Sequence, residues 1–220
     1  MQKSSDPVTA VVIAPTQPEH APQLEAIQCR VYGIPQAEIR DTYWLHHDTF
    51  VHHTQIFPEG QFVALNGDAV LGHTTSMRIK FDPAHPFIEP WRVTISDGWL
   101  HRHHPEGEWM YGVESCVLPE YWGQGIGSKL MDARFEVARR LNLRGIVAGS
   151  GMISYFQHYL THAPEAYVEA VKRGEIFDIN LTKQIKKGFV PGPVIPNYLT
   201  DEFTRGWGVV IVWENPHYRP

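Results

Sequence analysis

The stretch Tyr111–Leu130 reads YGVESCVLPEYWGQGIGSKL and is the most informative part of the sequence. Its first half is apolar and rich in β-branched residues, which predicts a buried strand over residues 108–118. The turn that follows contains three glycines, Gly123, Gly125 and Gly127. They open a helix predicted over 124–142. A glycine turn before a helix N-terminus lets backbone amides converge where the helix dipole favours negative charge. The stretch therefore predicts a phosphate or pyrophosphate site.

Two common phosphate-binding patterns do not fit this turn. A P-loop needs Gly-Lys followed by Ser or Thr, whereas Ser128 separates Gly127 from Lys129 here. A dinucleotide fingerprint needs GxGxxG and an acidic residue about 20 positions later. The spacing here is GxGxG, and residues 145–150 contain no acid. Glycines that serve only packing and helix capping are the structural alternative.

The elements around this stretch predict an α/β chain. Before it we expect a strand over 8–14, a helix over 18–32 ended by Gly33, a second amphipathic helix over 38–56, and a hairpin turning at Asn66-Gly67-Asp68. After it we expect a strand over 144–148, a helix begun by Pro164 and closed by Gly174, a short helix over 182–187, and strands near 194–199 and 207–213.

These elements predict one domain over 1–220 with a mixed, mostly antiparallel sheet flanked by helices. Residues 1–7 are expected to form a loose terminus. Residues 81–107 and 153–180 are expected to be two insertions, and the first is predicted to act as a lid.

Composition excludes several classes of protein. The chain has 220 residues, of which 43% are hydrophobic and 20% charged, so it is neither disordered nor fibrous. Lys and Arg number 19 against 24 Asp and Glu, a net charge of −5, which argues against a nucleic-acid partner. Its only two cysteines, Cys29 and Cys116, are too few for a disulfide framework, so both are expected to be reduced thiols. No signal peptide or run of about 18 apolar residues is visible, so we expect a soluble, cytoplasmic protein without a membrane partner.

The glycine turn resembles the acetyl-CoA pyrophosphate loop of the GNAT (Gcn5-related) N-acetyltransferases, usually Arg/Gln-x-x-Gly-x-Gly/Ala. Gly125 and Gly127 fit this pattern, and the order of predicted elements resembles the whole GNAT acyl-CoA N-acyltransferase fold. The stretch KQIKKGF (183–189) is similar to the family's helix ending in Gly-Phe. More narrowly, RLNLRGIVAG, YVEAVKRGEIFD and VIPNYL resemble acetyltransferase domains that precede a carbon–nitrogen hydrolase (nitrilase-like) domain, which is not expected in this chain.

Two residues depart from the family pattern. Trp122 stands where Arg or Gln is usual in the loop, and it could cover the pyrophosphate or pack on the protein. Gln184 stands where many members place a tyrosine that protonates the departing thiolate, and a carboxamide cannot act as an acid.

The resemblance implies acetyl-CoA as co-substrate. Its pantetheine is expected along the strand end Cys116, Val117 and Leu118, with the amide of Val117 or Leu118 donating to the oxyanion. The remaining cofactor contacts are expected from Trp122, Gly123, Gln124, Gly125, Ile126, Gly127, Ser128 and Lys129. The resemblance also implies a homodimer, since exposed strand edges often let such proteins pair.

Acetyl transfer to an amine requires a base, and Glu114 is the first candidate. It lies two residues before Cys116 and so on the same strand face. The alternative is a structural ion-pair partner. Tyr155 and Tyr159 are candidates for the acid, against a core role for each or no dedicated acid. Cys116 as a covalent nucleophile would need a base close by.

Histidines and arginines form two further groups. The histidine sets His46-His47, His52-His53 and His101-x-His103-His104 lack HExxH and finger spacing, so no metal is expected. Lys129 could approach the cofactor phosphates. The remaining basic residues of this region are expected to form a solvated face: Arg134, Arg139, Arg140 and Arg144.

The sequence thus predicts an N-acetyltransferase that acts on a small-molecule amine by direct attack on the thioester. The alternatives are a non-catalytic acyl-CoA-binding module or partner of a separate amidohydrolase, and a protein lysine acetyltransferase. The acceptor pocket is predicted to be closed by the two insertions and walled by aromatic rings: Trp91, Trp99, Trp109, Tyr155, Phe156 and Tyr159.

Overall fold

A computed structural model describes residues 11–220. Its strands are β1 (Val12–Pro15), β2 (Phe62–Asn66), β3 (Ala69–Ile79), β4 (Trp109–Val117), β5 (Gly145–Gly151), β6 (Val190–Ile195) and β7 (Gly208–Glu214). Its α-helices are α1 (Ala21–Tyr32), α2 (His47–Ile56), α3 (Trp91–Thr94), α4 (Ile126–Arg140), α5 (Pro164–Lys172) and α6 (Leu181–Lys186). The predicted loose terminus, and residues 8–10 of the first predicted strand, lie outside the described residues.

The strands form a seven-stranded sheet in the order β1-β2-β3-β4-β5-β7-β6. β4 and β5 are parallel over Trp109–Tyr111 and Gly145–Val147, whereas β1/β2, β2/β3, β5/β7 and β6/β7 are antiparallel. The prediction of a mixed, mostly antiparallel sheet with flanking helices is confirmed.

The described chain forms two compact units. The first comprises the described residues up to Ser76 together with Val113–Val137, and the second comprises Met77–Gly112 and Ala138–Pro220. The single-domain organisation inferred from the sequence stays a prediction.

The first unit is built from strong local signals. Gly33 ends α1 in the left-handed region at φ +68°, and Gly67 turns the β2–β3 hairpin at φ +59°. A buried cluster of Ala64, Leu71, Ile126 and Leu130 packs the hairpin against the start of α4. The predicted helix 18–32 and hairpin are confirmed.

The predicted helix over 38–56 is wrong in its first half. Residues Ile39–Asp41 form one 3-10 turn, and α2 begins only at His47. Thr42 breaks the helix because its hydroxyl donates to the carbonyl of Ile39 and accepts the amide of Trp44. Glu25 then caps α2, since its carboxylate accepts the amide of His47 at 2.8 Å.

In the second unit, β7 lies between β5 and the edge strand β6. The strand predicted near 194–199 starts earlier than expected, at Val190, and contains Pro191 and Pro193. Proline is tolerated on an edge strand because its missing amide would face solvent. The β6/β7 register shifts between Pro191 and Val194, consistent with that interruption.

The two predicted insertions are only partly regular. The first contains α3, and the second contains a 3-10 turn over Tyr155–Gln157 followed by α5. Trp91 and Trp109 are 3% and 5% exposed. Both rings are buried in the second unit, and the acceptor pocket closed by the two insertions and walled by aromatic rings stays a prediction.

Across residues 11–220 the structure contains no helix that is both long and apolar enough to span a membrane.

Candidate active site

Helix α1 lies against the C-terminal half of β4 through two matched contacts. Gln28 Nε2 donates to Cys116 Sγ at 3.5 Å, and the Tyr32 hydroxyl donates to Glu114 Oε1 at 2.7 Å. Four residues of helix rise about 6 Å and two residues of strand about 6.6 Å, so the two spacings match. Glu114 and Cys116 therefore both contact α1, which agrees with the prediction that they lie on the same face of the strand.

The Glu114 carboxylate is half-buried and held by two donors. Besides Tyr32, the amide of Ser115 donates to Oε1 at 2.9 Å. Burial raises the pKa of Glu114 above its ordinary value, while the two hydrogen bonds and the charge of Arg134 oppose the increase. A carboxylate with a raised pKa is more basic, so it accepts a proton from an ammonium group more readily than an ordinary surface glutamate does.

Arg134 lies in the interior and not on a solvated face. It is 4% exposed, and it donates from Nη2 to the Thr75 carbonyl at 2.6 Å and from Nε to the Ser76 hydroxyl at 3.0 Å. Nη2 also donates to the carbonyl of Glu114. Burial lowers the pKa of Arg134 to about 10, so it stays charged at neutral pH. The expectation of a solvated arginine is wrong here because strand acceptors replace water.

Cys116 has a histidine beside it that the sequence did not indicate. Its Sγ lies 3.2 Å from His73 Nε2, and Gln28 Nε2 lies 3.0 Å from the same nitrogen. Burial lowers the pKa of His73 to about 3 and raises the pKa of Cys116 well above its ordinary value. The pair is thus a neutral thiol and a neutral imidazole, which is a poor nucleophile–base couple despite the short distance.

The end of β4 offers one of the two amides considered for the oxyanion. The Leu118 amide donates to the carbonyl of Leu71 at 2.9 Å and is therefore engaged in the sheet. Hydrogen-bond direction alternates along a strand, so the Val117 amide points away from β3. Trp122 reaches the same edge, where its indole Nε1 donates to the Val117 carbonyl at 2.6 Å. Its side chain stays 64% exposed.

The glycine turn has the geometry that an anion cradle requires. Gly123 and Gly125 both adopt φ +80°, and a Cβ added at either would meet nothing within 4 Å. Helix α4 begins at Ile126, so its first amides lack intrahelical acceptors. Lys129 is exposed on the first turn of this helix. Open space above positive-φ glycines and a helix N-terminus fit a pyrophosphate.

The tyrosines proposed as acids lie in the second unit. The Tyr155 hydroxyl donates to the His162 carbonyl at 2.8 Å, and the ring is 4% exposed. Burial raises the pKa of Tyr155. Tyr159 is 39% exposed, and the Arg205 guanidinium lies 4.1 Å from its ring centre. Their acid role stays a prediction.

No group of three or more His, Cys, Asp or Glu side chains within residues 11–220 is arranged to hold a metal ion. Among the histidines considered as metal ligands, two are buried: His46, which precedes α2, and His53, which lies within it.

Besides His73 and Gln28, the site residues that the sequence analysis missed include Tyr32 and Arg134. Tyr32 follows Gln28 by one helical turn, and that spacing is the only sequence signal for a shared face. The sequence around Arg134 is that of an ordinary charged position on an amphipathic helix, because its three acceptors lie 58, 59 and 20 residues away in sequence.

This fold and the glycine turn beside β4 define a class of acyl-CoA-dependent acyltransferases. A model of the Acetyltransferase (GNAT) family matches residues 23–160. The chain belongs to the GNAT family.

Two relatives come from Bacillus subtilis (strain 168). The "Probable hydrolase YhcX" is 35% identical over 171 residues, which cover 77% of this chain and 33% of that protein. This chain therefore matches only a third of YhcX. The "Uncharacterized N-acetyltransferase YkwB" is 30% identical over 172 residues, 78% of this chain and 76% of that protein. The narrower resemblance to acetyltransferase domains that precede a nitrilase-like domain stays a prediction.

Two solved structures show the same fold. The GphF GNAT-like decarboxylase in complex with isobutyryl-CoA has a TM-score of 0.72 at 21% identity, covering 93% of this chain and 99% of that one. The loading GNATL domain of CurA from Lyngbya majuscula also has a TM-score of 0.72, at 16% identity, covering 95% and 100%. At these identities the likeness establishes the fold alone.

Proposed function

We propose that the chain acetylates the amine of a small-molecule acceptor, with Glu114 as the general base. The observation that carries this proposal is the half-buried Glu114 carboxylate, oriented by Tyr32 and Ser115 and raised in pKa. An alkylammonium has a pKa near 10.4, so only about one amine in 10³ is neutral at pH 7. Glu114 removes the proton directly or through one water, which frees the nitrogen lone pair.

The cofactor contacts follow from the strand end and the glycine turn. When bound, acetyl-CoA supplies the acetyl group as an activated thioester. The backbone of residues 123–128 holds the pyrophosphate, and Lys129 adds a positive charge beside it. Cys116, Val117 and Leu118 lie along the pantetheine. Of these, the Val117 amide stabilises negative charge on the thioester oxygen, because the Leu118 amide is already bonded to Leu71.

The remaining residues have supporting roles in this proposal. Trp122 covers the edge of β4 by its bond to the Val117 carbonyl. Tyr155 or Tyr159 protonates the leaving thiolate, and Tyr159 is the more exposed of the two. A thiol pKa near 8.5 also lets the thiolate leave unaided. Cytoplasmic location and a homodimer complete the proposal.

Replacing Glu114 tests the proposal. Glu114→Gln keeps the shape of the side chain but removes its basicity, so turnover is expected to fall about 10²–10⁴-fold while acetyl-CoA affinity stays within about twofold. Turnover is measured as coenzyme A release with an amine panel, and affinity by calorimetry.

Glu59→Gln is the matched control, because Glu59 is an exposed glutamate of the same unit. It is expected to behave as wild type. Wild-type turnover in Glu114→Gln would show that Glu114 serves only as a structural partner of Tyr32.

A further inference from the structure

The tyrosine that donates to the proposed base lies at the very end of its helix. Tyr32 is the last residue of α1, and Gly33 follows it in the left-handed region at φ +68°. Tyr32 is 36% exposed, so its side chain has several staggered rotamers open to it. A further contact is therefore needed to keep its hydroxyl 2.7 Å from Glu114 Oε1.

The Trp44 indole supplies that contact. The ring centres of Trp44 and Tyr32 lie 4.0 Å apart, and the two planes are inclined by 22°, which is a stacked arrangement. Trp44 is half-buried and comes from the segment that precedes α2, so the stack joins a second element to the end of α1. Rotation of the tyrosine about either of its side-chain torsions would separate the two ring faces. The stack therefore restrains the direction in which the Tyr32 hydroxyl points.

Trp44 lies in the irregular segment where the sequence predicted a continuous helix. The Thr42 hydroxyl accepts the Trp44 amide at 3.1 Å and donates to the Ile39 carbonyl at 2.7 Å. These local bonds fix the backbone that carries the indole. The interruption of the helix thus places Trp44 on Tyr32, and successive contacts connect Thr42, Trp44, Tyr32 and Glu114 within the first unit.

The Tyr32 hydroxyl acts on Glu114 together with groups from β4 and α4. The Ser115 amide donates to the same carboxylate oxygen at 2.9 Å, and Arg134 donates to the Glu114 carbonyl. Burial raises the pKa of Glu114, whereas the bonds from Tyr32 and Ser115 and the Arg134 charge lower it. Cys116, two residues further along β4, is a neutral thiol because burial raises its pKa well above the ordinary value. Replacing Tyr32 alone leaves these other groups in place.

We propose that Trp44 is a positioning residue for acetyl transfer, which holds the Tyr32 hydroxyl on Glu114 and so keeps the carboxylate in one orientation toward the acceptor amine. Trp44 acts through Tyr32 and is not itself a catalytic residue. This inference rests on the proposed function, since it takes Glu114 as the base.

Titration of Glu114, followed by NMR of its side-chain carboxyl carbon, tests the inference without requiring turnover. Tyr32→Phe keeps the ring and removes the hydroxyl, so the Glu114 titration is expected to move to higher pH and kcat/KM on the acidic limb to fall about tenfold. Trp44→Leu is expected to move the titration in the same direction and to lower kcat/KM on that limb about threefold, because the unstacked tyrosine leaves the carboxylate part of the time. Trp44→Phe keeps an aromatic face and is expected to restore the wild-type titration.

Tyr43→Phe is the matched control. Tyr43 also stacks on Trp44, with 5.5 Å between the ring centres, but the two donors to the Glu114 carboxylate are Tyr32 and Ser115. Loss of the Tyr43 hydroxyl is therefore expected to leave the Glu114 titration unchanged.

A wild-type Glu114 titration in Trp44→Leu would overturn the inference, and if that variant also unfolds more readily, Trp44 has a purely structural role. An unchanged titration in Tyr32→Phe would overturn it as well, since Trp44 would then have nothing to position. Titrations that move as expected in a chain without amine-dependent coenzyme A release would support the positioning contact and contradict the proposed function.

Discussion

Arg134 is the buried charge on which the β3–β4 region depends, and its replacement gives a prediction that the structure quantifies. Arg134→Met keeps an unbranched aliphatic chain but removes all of the N–H donors. The carbonyl of Glu114 retains a partner in the Thr74 hydroxyl at 3.0 Å. The Thr75 carbonyl and the Ser76 hydroxyl lose the donor that Arg134 provides.

Each buried acceptor left without its donor costs about 1–3 kcal/mol. Two such groups give about 2–6 kcal/mol, and the desolvation of the guanidinium that is no longer required offsets part of it. We therefore expect Arg134→Met to lower the free energy of unfolding by about 3 kcal/mol. Arg134→Lys, which keeps the charge and some donors, is expected to lose about half as much.

The same variants change the titration of Glu114. The Arg134 charge lowers the pKa of this carboxyl, so Arg134→Met raises the pKa further above its ordinary value. The acidic limb of kcat/KM then moves to higher pH in Arg134→Met and stays in place in Arg134→Lys. The free energy of unfolding is measured in urea, and the position of the acidic limb is read from the pH dependence of kcat/KM. A free energy of unfolding within about 0.5 kcal/mol of wild type, together with an acidic limb at the wild-type pH, would contradict both expectations.

Two pairs of glycine substitutions test the glycine turn and the contact between β3 and β4. Gly125→Val and Gly174→Val both place a side chain in open space at positive φ, +80° and +75°. Both are expected to lose about 1–2 kcal/mol of stability, but only Gly125→Val weakens acetyl-CoA binding at least about tenfold, measured by calorimetry; equal affinities would remove the turn from the site. Gly72→Ala places a Cβ 2.6 Å from the Cys116 carbonyl oxygen, whereas Gly192→Ala meets nothing closer than 3.6 Å. Urea unfolding is expected to show a loss of about 1–3 kcal/mol for Gly72→Ala alone, and equal midpoints would contradict the close approach of β3 and β4.

The parts of the fold that the sequence predicted are those with strong local signals. The glycine turn, the end of α1 at Gly33 and the hairpin at Gly67 each depend on residues within a few positions of one another. The start of α2 was missed because the Thr42 hydroxyl competes with helical hydrogen bonds. The start of β6 was missed because its prolines argue against a strand unless the strand is known to lie at an edge.

The active-site neighbours were predicted less completely, since they come from distant parts of the chain. Glu114 was found by its spacing from Cys116, which is local. Tyr32 lies 82 residues from Glu114, and His73 lies 43 residues from Cys116. Arg134 is buried because three strand groups accept its protons, and no short pattern encodes such acceptors.

The most direct test of the central claim is coenzyme A release from acetyl-CoA by the wild-type chain, measured together with mass-spectrometric detection of the acetylated amine. The proposed function predicts release only when an amine is present, in equal amounts with N-acetylated product, and its loss in Glu114→Gln. Tight acetyl-CoA binding without amine-dependent release would contradict the claim and indicate a non-catalytic acyl-CoA-binding module.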